Sequence, residues 1–309
     1  MKLLLTHIAD PDGITPIILL KLLNLDFEYE LFEATKLSEF ILEKINTDYF
    51  EKYEDIFIVD LGINKECADK IENSKYKNKF KLFDHHESNK FLNNYEFARV
   101  VEEVDGFKEC GTSIFFSYLV NNYENSILTK ESVVTFVELV RENDTWQFTE
   151  LEEDAHNLSA LFSFYGKETY IDVYTEFLKK NDKFHFNRTE LLILKSLNRQ
   201  MKEYLEEKKD KVIIRNINGY KVGIVFAERY RSNLGNYLAK EYSDSVDFIC
   251  IINIARHISL RGIKIDKPVN KFAEIYGGGG HPLASAMPNP EGLKEKIIEY
   301  IFGEENENR

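Results

Sequence analysis

Hydrophobic positions in the first part of the chain form short runs separated by longer amphipathic stretches. The short runs are rich in β-branched or aromatic residues, which is typical of strands. They predict strands over residues 2–6, 28–33, 55–61 and 79–83. The stretches between and after them predict helices over residues 15–25, 37–45, 65–73, 112–121 and 130–141. Because strands that alternate with helices form βαβ units, we expect a mostly parallel sheet.

The pattern changes in the second part of the chain. Residues 188–210 are expected to form one helix, because Leu194, Leu197 and Met201 recur at helical spacing. Beyond them a β-hairpin is predicted to turn at Asn218-Gly219. The segments that follow predict a helix over 233–242 and an apolar strand over 247–254.

These elements predict an α/β fold in two domains. The N-terminal domain has the parallel sheet, and the smaller C-terminal α/β domain has a mixed sheet. A helical connector joins them, so that the three parts are 1–187, 188–210 and 211–309. The alternative is that this helix is the last one of the first domain. The charged end, residues 303–309, is expected to be frayed.

Charge limits the partners of such a protein. The formal net charge is −13, whereas a protein that tracks long duplexes needs a basic stripe. The acidic balance therefore argues against long duplex nucleic acid, but not against short oligonucleotides gripped at one end. The three cysteines form no CxxC pair, and the N-terminal apolar run is too short for a signal peptide. We expect a cytoplasmic protein with reduced thiols and no membrane contact.

Acidic and imidazole side chains stand at or just past the ends of the predicted apolar segments. In a parallel sheet these ends face one edge, where ligands bind. The candidates are His7, Asp10, Asp12, Asp60, Asp84, His85, His86 and Asp144. Any one acid can be a helix cap or a turn former. Together they predict a site for two divalent metal ions, and the histidines favour manganese over magnesium. Trp146 is expected to lie in the core.

The stretch Gly277-Gly278-Gly279-Gly280-His281 is the second chemical pattern. Four glycines let a backbone approach a ligand closely and point its amides at an anion. A flexible loop is the alternative, but the apolar residues on both sides favour a cradle for a phosphate. Arg261 can meet the same phosphate through a bidentate, charge-assisted pair.

Taken together, these motifs resemble those of the DHH phosphoesterase superfamily, over essentially the whole chain and in the expected order. The branch is the one whose second half is the DHH-associated domain with the GGGH motif. Within it, the chain is most similar to stand-alone oligoribonucleases (nanoRNases) of the NrnA and NrnB type. The order His7-x-x-Asp10-x-Asp12 favours the NrnB-like side. RecJ-type exonucleases and membrane-anchored cyclic dinucleotide enzymes carry further modules, and family II pyrophosphatases lack the glycine-histidine motif.

The resemblance implies a role for each residue. His7 and Asp10 would bind one metal, Asp12, His85 and Asp144 the other, and Asp60 would bridge both. Asp84 would support its neighbours, and His86 would face the substrate as a catalytic group. The residues that would hold the terminal nucleotide or phosphate are Arg261, Gly278, Gly279, Gly280 and His281.

The activity that the resemblance implies is manganese-dependent hydrolysis of short single-stranded RNA or DNA oligonucleotides and dinucleotides to mononucleotides. Magnesium and cobalt are the alternative metals. Phosphodiesterase activity on cyclic or linear signalling dinucleotides remains open, and so do phosphatase activity on 3′-phosphoadenosine nucleotides and nucleotide binding without turnover. A homodimer is also left open.

Overall fold

A computed structural model of the protein describes residues 1–149 and 151–303. These residues form two compact units, Met1–Leu194 and the part from Lys195 onward. Each unit has hydrophobic clusters of its own. Most of the end that the sequence predicts to be frayed, from residue 304 on, lies outside the described residues.

The first unit contains a five-stranded sheet in which all the strands are parallel. The strand order is β2-β1-β3-β4-β5. The strands are β1 Lys2–His7, β2 Phe27–Phe32, β3 Ile56–Val59, β4 Phe80–Asp84 and β5 Ala98–Val100. Leu3 and Leu5 pack on one face and Leu4 on the other. Burial on both faces explains why the inner strands are continuous apolar runs, and the predicted parallel sheet is confirmed.

Helices cover both faces of this sheet. They are α1 Pro11–Leu22, α2 Leu37–Lys44, α3 Lys65–Glu72, α4 Gly111–Asn122, α5 Glu131–Thr145, α6 Glu152–Tyr165 and α7 Lys167–Lys180. Helices α2 and α3 bury their apolar residues on one face, and α1 and α4–α7 build the core on the other. The segment Glu87–Asn94 forms 3₁₀ turns after β4, and a short hairpin follows β5, with strands β6 Glu103–Val104 and β7 Phe107–Lys108.

Helix α8, Arg188–Lys209, begins in the first unit and ends in the second, over the range that the apolar spacing predicts. The second unit has a mixed sheet in the order β12-β13-β11-β10-β9-β8, and only β9 and β10 pair in parallel. The strands are β8 Ile213–Ile217, β9 Tyr220–Phe226, β10 Phe248–Ile252, β11 His257–Gly262, β12 Gly279–His281 and β13 Ala284–Pro288. The helices are α9 Arg231–Glu241, α10 Val269–Ile275 and α11 Leu293–Phe302.

The mixed sheet confirms the predicted C-terminal fold. The predicted hairpin turn is also present, because Asn218 and Gly219 both have positive φ values, 49° and 82°. Among the helices of the described residues, none has the length and apolar character that crossing a membrane requires.

Of the helix boundaries that differ from the predictions, two bear on the candidate site. Helix α1 begins at Pro11, four residues early, because Pro11 suits a first helical turn and Asp10 caps it by accepting from the Gly13 amide at 3.0 Å. Helix α5 runs on to Thr145, so Asp144 lies in its last turn. The expectation that Trp146 lies in the core is wrong: it ends α5 with φ 54° and is 53% exposed.

Candidate metal centre and active site

The carboxyl edge of the parallel sheet carries the predicted acidic and imidazole side chains. His7 is the last residue of β1, Asp84 is the last residue of β4, and Asp60 directly follows β3. Because these three strands are neighbours, their ends lie side by side. Three groups of side chains here have ligand atoms within 4.8 Å of one another: His7, Asp10 and Asp60; Asp12, His85 and Asp144; and Asp60, Asp84, His85 and His86.

Asp60 faces two of these groups with different oxygens. Its Oδ2 atom lies 3.2 Å from His7 Nδ1, and its Oδ1 atom lies 3.5 Å from His85 Nε2. The residue is 4% exposed and has a left-handed backbone with φ 57°, a conformation that Asp tolerates better than most residues. This is the arrangement that a carboxylate shared by two cations requires.

His7 and Asp10 form the outer part of the first group. His7 Nδ1 lies 3.4 Å from Asp10 Oδ2. The hydrogen bonds with Asp10 and Asp60 raise the pKa of His7 to about 10. Burial alone would raise the pKa of Asp60, but His7 and His85 lower it to about 2. The carboxylate of Asp60 is therefore ionised at neutral pH.

His85, Asp144 and Asp12 form the second group. His85 Nε2 lies 3.4 Å from Asp144 Oδ2 and 4.0 Å from Asp12 Oδ2. Burial lowers the pKa of His85, but Asp60, Asp12 and Asp144 raise it to about 9. Burial and the charges of Asp60 and Asp10 raise the pKa of Asp144 to about 6, although His85 opposes them.

The donor set of this second group fits a divalent cation. The His85 Nε2 and Asp144 Oδ2 atoms are buried, and neither has a hydrogen-bond partner among the described residues. Buried polar atoms are nearly always satisfied. A cation between His85, Asp144 and Asp12 would satisfy both atoms, and imidazole and carboxylate are both ligands of divalent metals in proteins.

Asp12 also has a structural role that its predicted role as a ligand does not include. Its Oδ2 and Oδ1 atoms accept from the Gly111 and Thr112 amides at 2.8 and 2.7 Å, which joins α1 to the start of α4. Gly111 has no room for a side chain, since a Cβ atom there would lie 2.6 Å from the Asp60 Cβ atom. Sequence analysis missed this residue. Its only signal is a Gly-Thr pair just before a predicted helix.

Asp84 links His86 to a second residue that sequence analysis missed, Asn89. Asp84 is fully buried. Its Oδ1 atom lies 2.8 Å from His86 Nδ1, and its Oδ2 atom accepts a hydrogen bond from Asn89 Nδ2 at 2.6 Å. Asn89 in turn packs on Gly62, where a Cβ atom would lie 2.1 Å from the amide nitrogen. Asp84 raises the pKa of His86, whose side chain is about half exposed. The supporting role of Asp84 stays a prediction.

The predicted substrate residues lie in the second unit. Gly279, Gly280 and His281 form the edge strand β12, and Arg261 lies on β11. Arg261 and His281 both pair with Ala284 of β13, so they belong to one row across three strands. No described carboxylate forms an ion pair with Arg261.

Two of the glycines have local reasons to be glycine. Gly280 has φ 136°, and a Cβ atom at Gly278 would lie 2.2 Å from the Ala286 carbonyl oxygen. The predicted substrate contacts of Gly278, Gly279, Gly280, His281 and Arg261 stay predictions.

Metal binding is expected to release protons from the first unit. At pH 7 both His7 and His85 are protonated, since their pKa values are about 10 and about 9, and a metal binds only the neutral imidazole. Burial and the charges of Asp60 and Asp144 also raise the pKa of Asp12 well above its usual range, so two or more protons should leave when manganese binds. The apparent affinity should rise as pH increases toward 9. Calorimetry in two buffers with different ionisation enthalpies measures this number. Binding without proton release at pH 7 would rule out these two histidines as ligands.

An Asp144→Asn variant is expected to stabilise the metal-free protein. Because the folded pKa of Asp144 is raised from its ordinary value of 3.8 to about 6, its charged form opposes folding in full above pH 6. This cost declines as the pH falls below 6 and disappears below 3.8. In EDTA the variant should raise Tm by roughly 2–6 °C at pH 8 and by about half as much at pH 5. Asp172→Asn, an exposed acid on α7, is the control and should change Tm little at either pH. A lower Tm at pH 8 would contradict the prediction.

Comparison with known proteins places these features in context. No family model matches the chain. The chain is 31% identical to oligoribonuclease NrnB of Bacillus subtilis over 268 residues, which span 85% of this chain but only 66% of the length of that relative.

Two solved structures share the fold. The DHH domain of a member of the s1p family of ribosomal proteins is 17% identical, covers 96% of this chain and 84% of its own, and has a TM-score of 0.60. The pGpG-specific phosphodiesterase PggH from Vibrio cholerae is 14% identical, covers 97% of both chains, and has a TM-score of 0.53.

Proposed function

The chain belongs to the DHH family of phosphoesterases, and from this premise we propose that it is a manganese-dependent phosphodiesterase that hydrolyses short oligonucleotides and dinucleotides to mononucleotides. The observation that carries the proposal is Asp60, whose two oxygens face two separate groups of ligand-type side chains. Two-metal centres of this kind serve phosphoryl transfer to water.

In this proposal His7 and Asp10 hold one metal, Asp12, His85 and Asp144 hold the other, and Asp60 contacts both. When bound, two divalent metals supply a hydroxide nucleophile at neutral pH and stabilise the negative charge that develops on the phosphate. The protein contributes the positions of the ligands. Asp12, in particular, is fixed by two α4 amides before any metal arrives.

His86 is the residue that we propose to act on the phosphate. Its Nδ1 atom faces Asp84, which leaves Nε2 of the half-exposed ring free to donate. Asp84 raises the pKa of His86. At a given pH, the His86 ring therefore carries a proton on both nitrogens more often than the ring of a histidine in free solution does. A fixed N–H donor beside the phosphate stabilises the transition state, and single donors of this kind are worth roughly 3 kcal/mol.

Short substrates are favoured by the charge of the chain. A net charge of −13 opposes the binding of long polyanions, whose affinity depends on counterion release by basic residues. One relative is named an oligoribonuclease and one structural neighbour a pGpG-specific phosphodiesterase, which agrees with substrates of few nucleotides. The three cysteines are free and buried, as is usual for proteins of the cytoplasm, where we propose that the enzyme acts.

The second half of the chain is proposed to grip the substrate. We divide the chain into a catalytic domain over 1–187, a helical connector over 188–210 and a substrate-binding domain over 211–309. Arg261 and His281, in one row of the second sheet, supply a cation and an imidazole for a terminal nucleotide or phosphate. The backbone of Gly278, Gly279 and Gly280 supplies amides next to them.

One panel of substrates tests the proposed function. It contains dinucleotides, longer oligomers, cyclic dinucleotides, adenosine 3′,5′-bisphosphate and pyrophosphate, each assayed with manganese and with EDTA. We expect release of mononucleotides from dinucleotides and short oligomers, and none in EDTA. Hydrolysis of the bisphosphate or of pyrophosphate alone, or of nothing in the panel, would contradict the proposal.

A further inference from the structure

A cavity of about 530 Å³ opens beside the metal centre within the first unit. His7, Asp60 and His86 of the candidate centre belong to its lining, and so do Asn64 and Phe91. Small-molecule sites typically have volumes of roughly 300–1,000 Å³ and combine apolar walls with a few polar groups. This cavity therefore has the size and lining of a binding site, and the roles assigned so far leave most of it unused.

Phe91 is the main aromatic surface of this cavity. Its side chain is 37% exposed, while the next residue, Leu92, is fully buried. The 3₁₀ segment that carries both residues is fixed to β5, because Asn93 exchanges two hydrogen bonds of 2.8 Å with the Val100 backbone. An exposed phenylalanine on a rigid segment forgoes the stabilisation that burial gives. The ring is thus held out into the cavity by its framework.

The same segment is joined to Asp84, the carboxylate that contacts His86. Asn89, two residues before Phe91, donates to Asp84, and Asp84 positions His86. The position of the Phe91 ring relative to the ring of His86 is therefore set by one short, hydrogen-bonded stretch of chain. A ligand that stacks on Phe91 would be placed in a defined position relative to the metal centre.

Asn64 supplies a hydrogen-bond donor on the cavity wall. Its Oδ1 atom caps α3 by accepting from the Cys67 amide at 2.8 Å. This bond orients the side-chain amide, and its Nδ2 donates to no acceptor among the described residues. An oriented donor and an aromatic ring in the lining of one cavity suit a planar, heteroatom-rich ligand.

We propose that this cavity binds the nucleoside next to the scissile phosphate, with its base stacked on Phe91 and with Asn64 donating to the base edge or the ribose. The inference rests on the proposed function, because a phosphodiester at the metal centre carries a sugar and a base on each side of phosphorus. At least one nucleoside must then extend from His7, Asp60 and His86 into the adjoining space. Stacking is tolerant of base identity, so the cavity selects for a base without selecting strongly among bases.

The test compares Phe91→Ala with Phe91→Tyr and with Phe164→Ala. Stacking is worth about 1–3 kcal/mol per base, so Phe91→Ala should raise KM for a dinucleotide roughly 5- to 100-fold with little change in kcat. Phe91→Tyr should keep the KM of the parent protein. Phe164 is an exposed phenylalanine on α6 (52%), and Phe164→Ala is the matched control. It should leave KM and kcat for the dinucleotide unchanged. On a substrate that lacks the base, the parent protein and Phe91→Ala should have equal KM.

A second measurement separates this inference from the proposed function. A free nucleoside has no phosphate and does not depend on the metals, so its binding is followed by saturation-transfer NMR in EDTA. The signal should be present in the parent protein and in Phe164→Ala and lost in Phe91→Ala, whether or not the protein hydrolyses oligonucleotides. A signal that survives in Phe91→Ala, an unchanged dinucleotide KM, or an equal loss on the base-free substrate would overturn the nucleoside site.

Discussion

An Asp60→Ala variant is expected to lose manganese-dependent release of mononucleotides from dinucleotides by more than about 10³-fold in kcat. Removing even one preorganised donor from an active site costs roughly 10²–10³-fold, and Asp60 faces both groups of ligand-type side chains. Its low pKa, about 2, means that a full negative charge is removed from between His7 and His85. We expect the variant to bind less than two equivalents of manganese, as measured by equilibrium dialysis.

Asp55→Ala provides the matched control for this variant. Asp55 immediately precedes β3, at the end opposite Asp60, where it pairs with Lys2 and Lys81. The control therefore removes a carboxylate beside the same strand and loses ion pairs, which lowers stability, but it does not touch the metal centre. It should keep kcat and both manganese ions. An Asp60→Ala protein that retained its kcat would remove Asp60 from the centre and the two-metal proposal with it.

The second large loss of activity is expected for Gly111→Ala. No chemical motif in the sequence indicates Gly111 as a residue of the site. The added methyl group would lie 2.6–2.8 Å from the Cβ, Cα and N atoms of Asp60, so the backbone of one of the two segments must move. Overpacking of this kind costs about 1–3 kcal/mol of stability, and a displacement of about 1 Å at an active site can cost about 10²-fold in rate. We expect kcat to fall by about that factor while the variant remains folded.

Gly166→Ala separates the stability effect from the catalytic effect. Gly166 caps α7 with φ 71°, and a Cβ atom there meets no other atom within 4 Å. The substitution strains the backbone by about 1–3 kcal/mol, because this combination of φ and ψ is almost confined to glycine, and the added methyl group touches no atom of Asp60. It should lower Tm to an extent similar to that of Gly111→Ala and leave kcat unchanged. Equal kcat values for the two variants would show that Gly111 has no special relation to the site.

The parallel sheet could be predicted because its inner strands are buried on both faces. Each of these strands is therefore a continuous apolar run in the sequence. The alignment of His7, Asp60 and Asp84 at one edge follows from the same sheet, since a parallel order brings the carboxyl ends together. The positions of these residues could therefore be predicted from the apolar runs that precede them and from the rule that parallel strands end at one edge of the sheet. Helices α6 and α7 were not predicted, because their buried aromatic residues, such as Phe162 and Tyr170, are equally typical of strands.

The remaining features of the site depend on contacts between distant parts of the chain. Asp12 holds the amides of Gly111 and Thr112, which lie 99 and 100 residues away, and no pattern near either segment indicates the pairing. The connection of Asn89 with the site is apparent only from the hydrogen bond that its side-chain amide donates to Asp84. Trp146 was misjudged because the left-handed turn that exposes it is set by the end of α5, and a bulky residue gives no local sign of such a turn.

The bond between Asp12 and the start of α4 also has a kinetic meaning. A contact between residues about 100 positions apart must pay its loop-closure entropy before it stabilises the chain, which disfavours its early formation. A chain that has not formed this contact lacks the complete ligand set. Such a nascent or misfolded molecule therefore cannot bind the metals at this centre. Metal uptake then follows folding and adds its binding free energy to the finished unit alone.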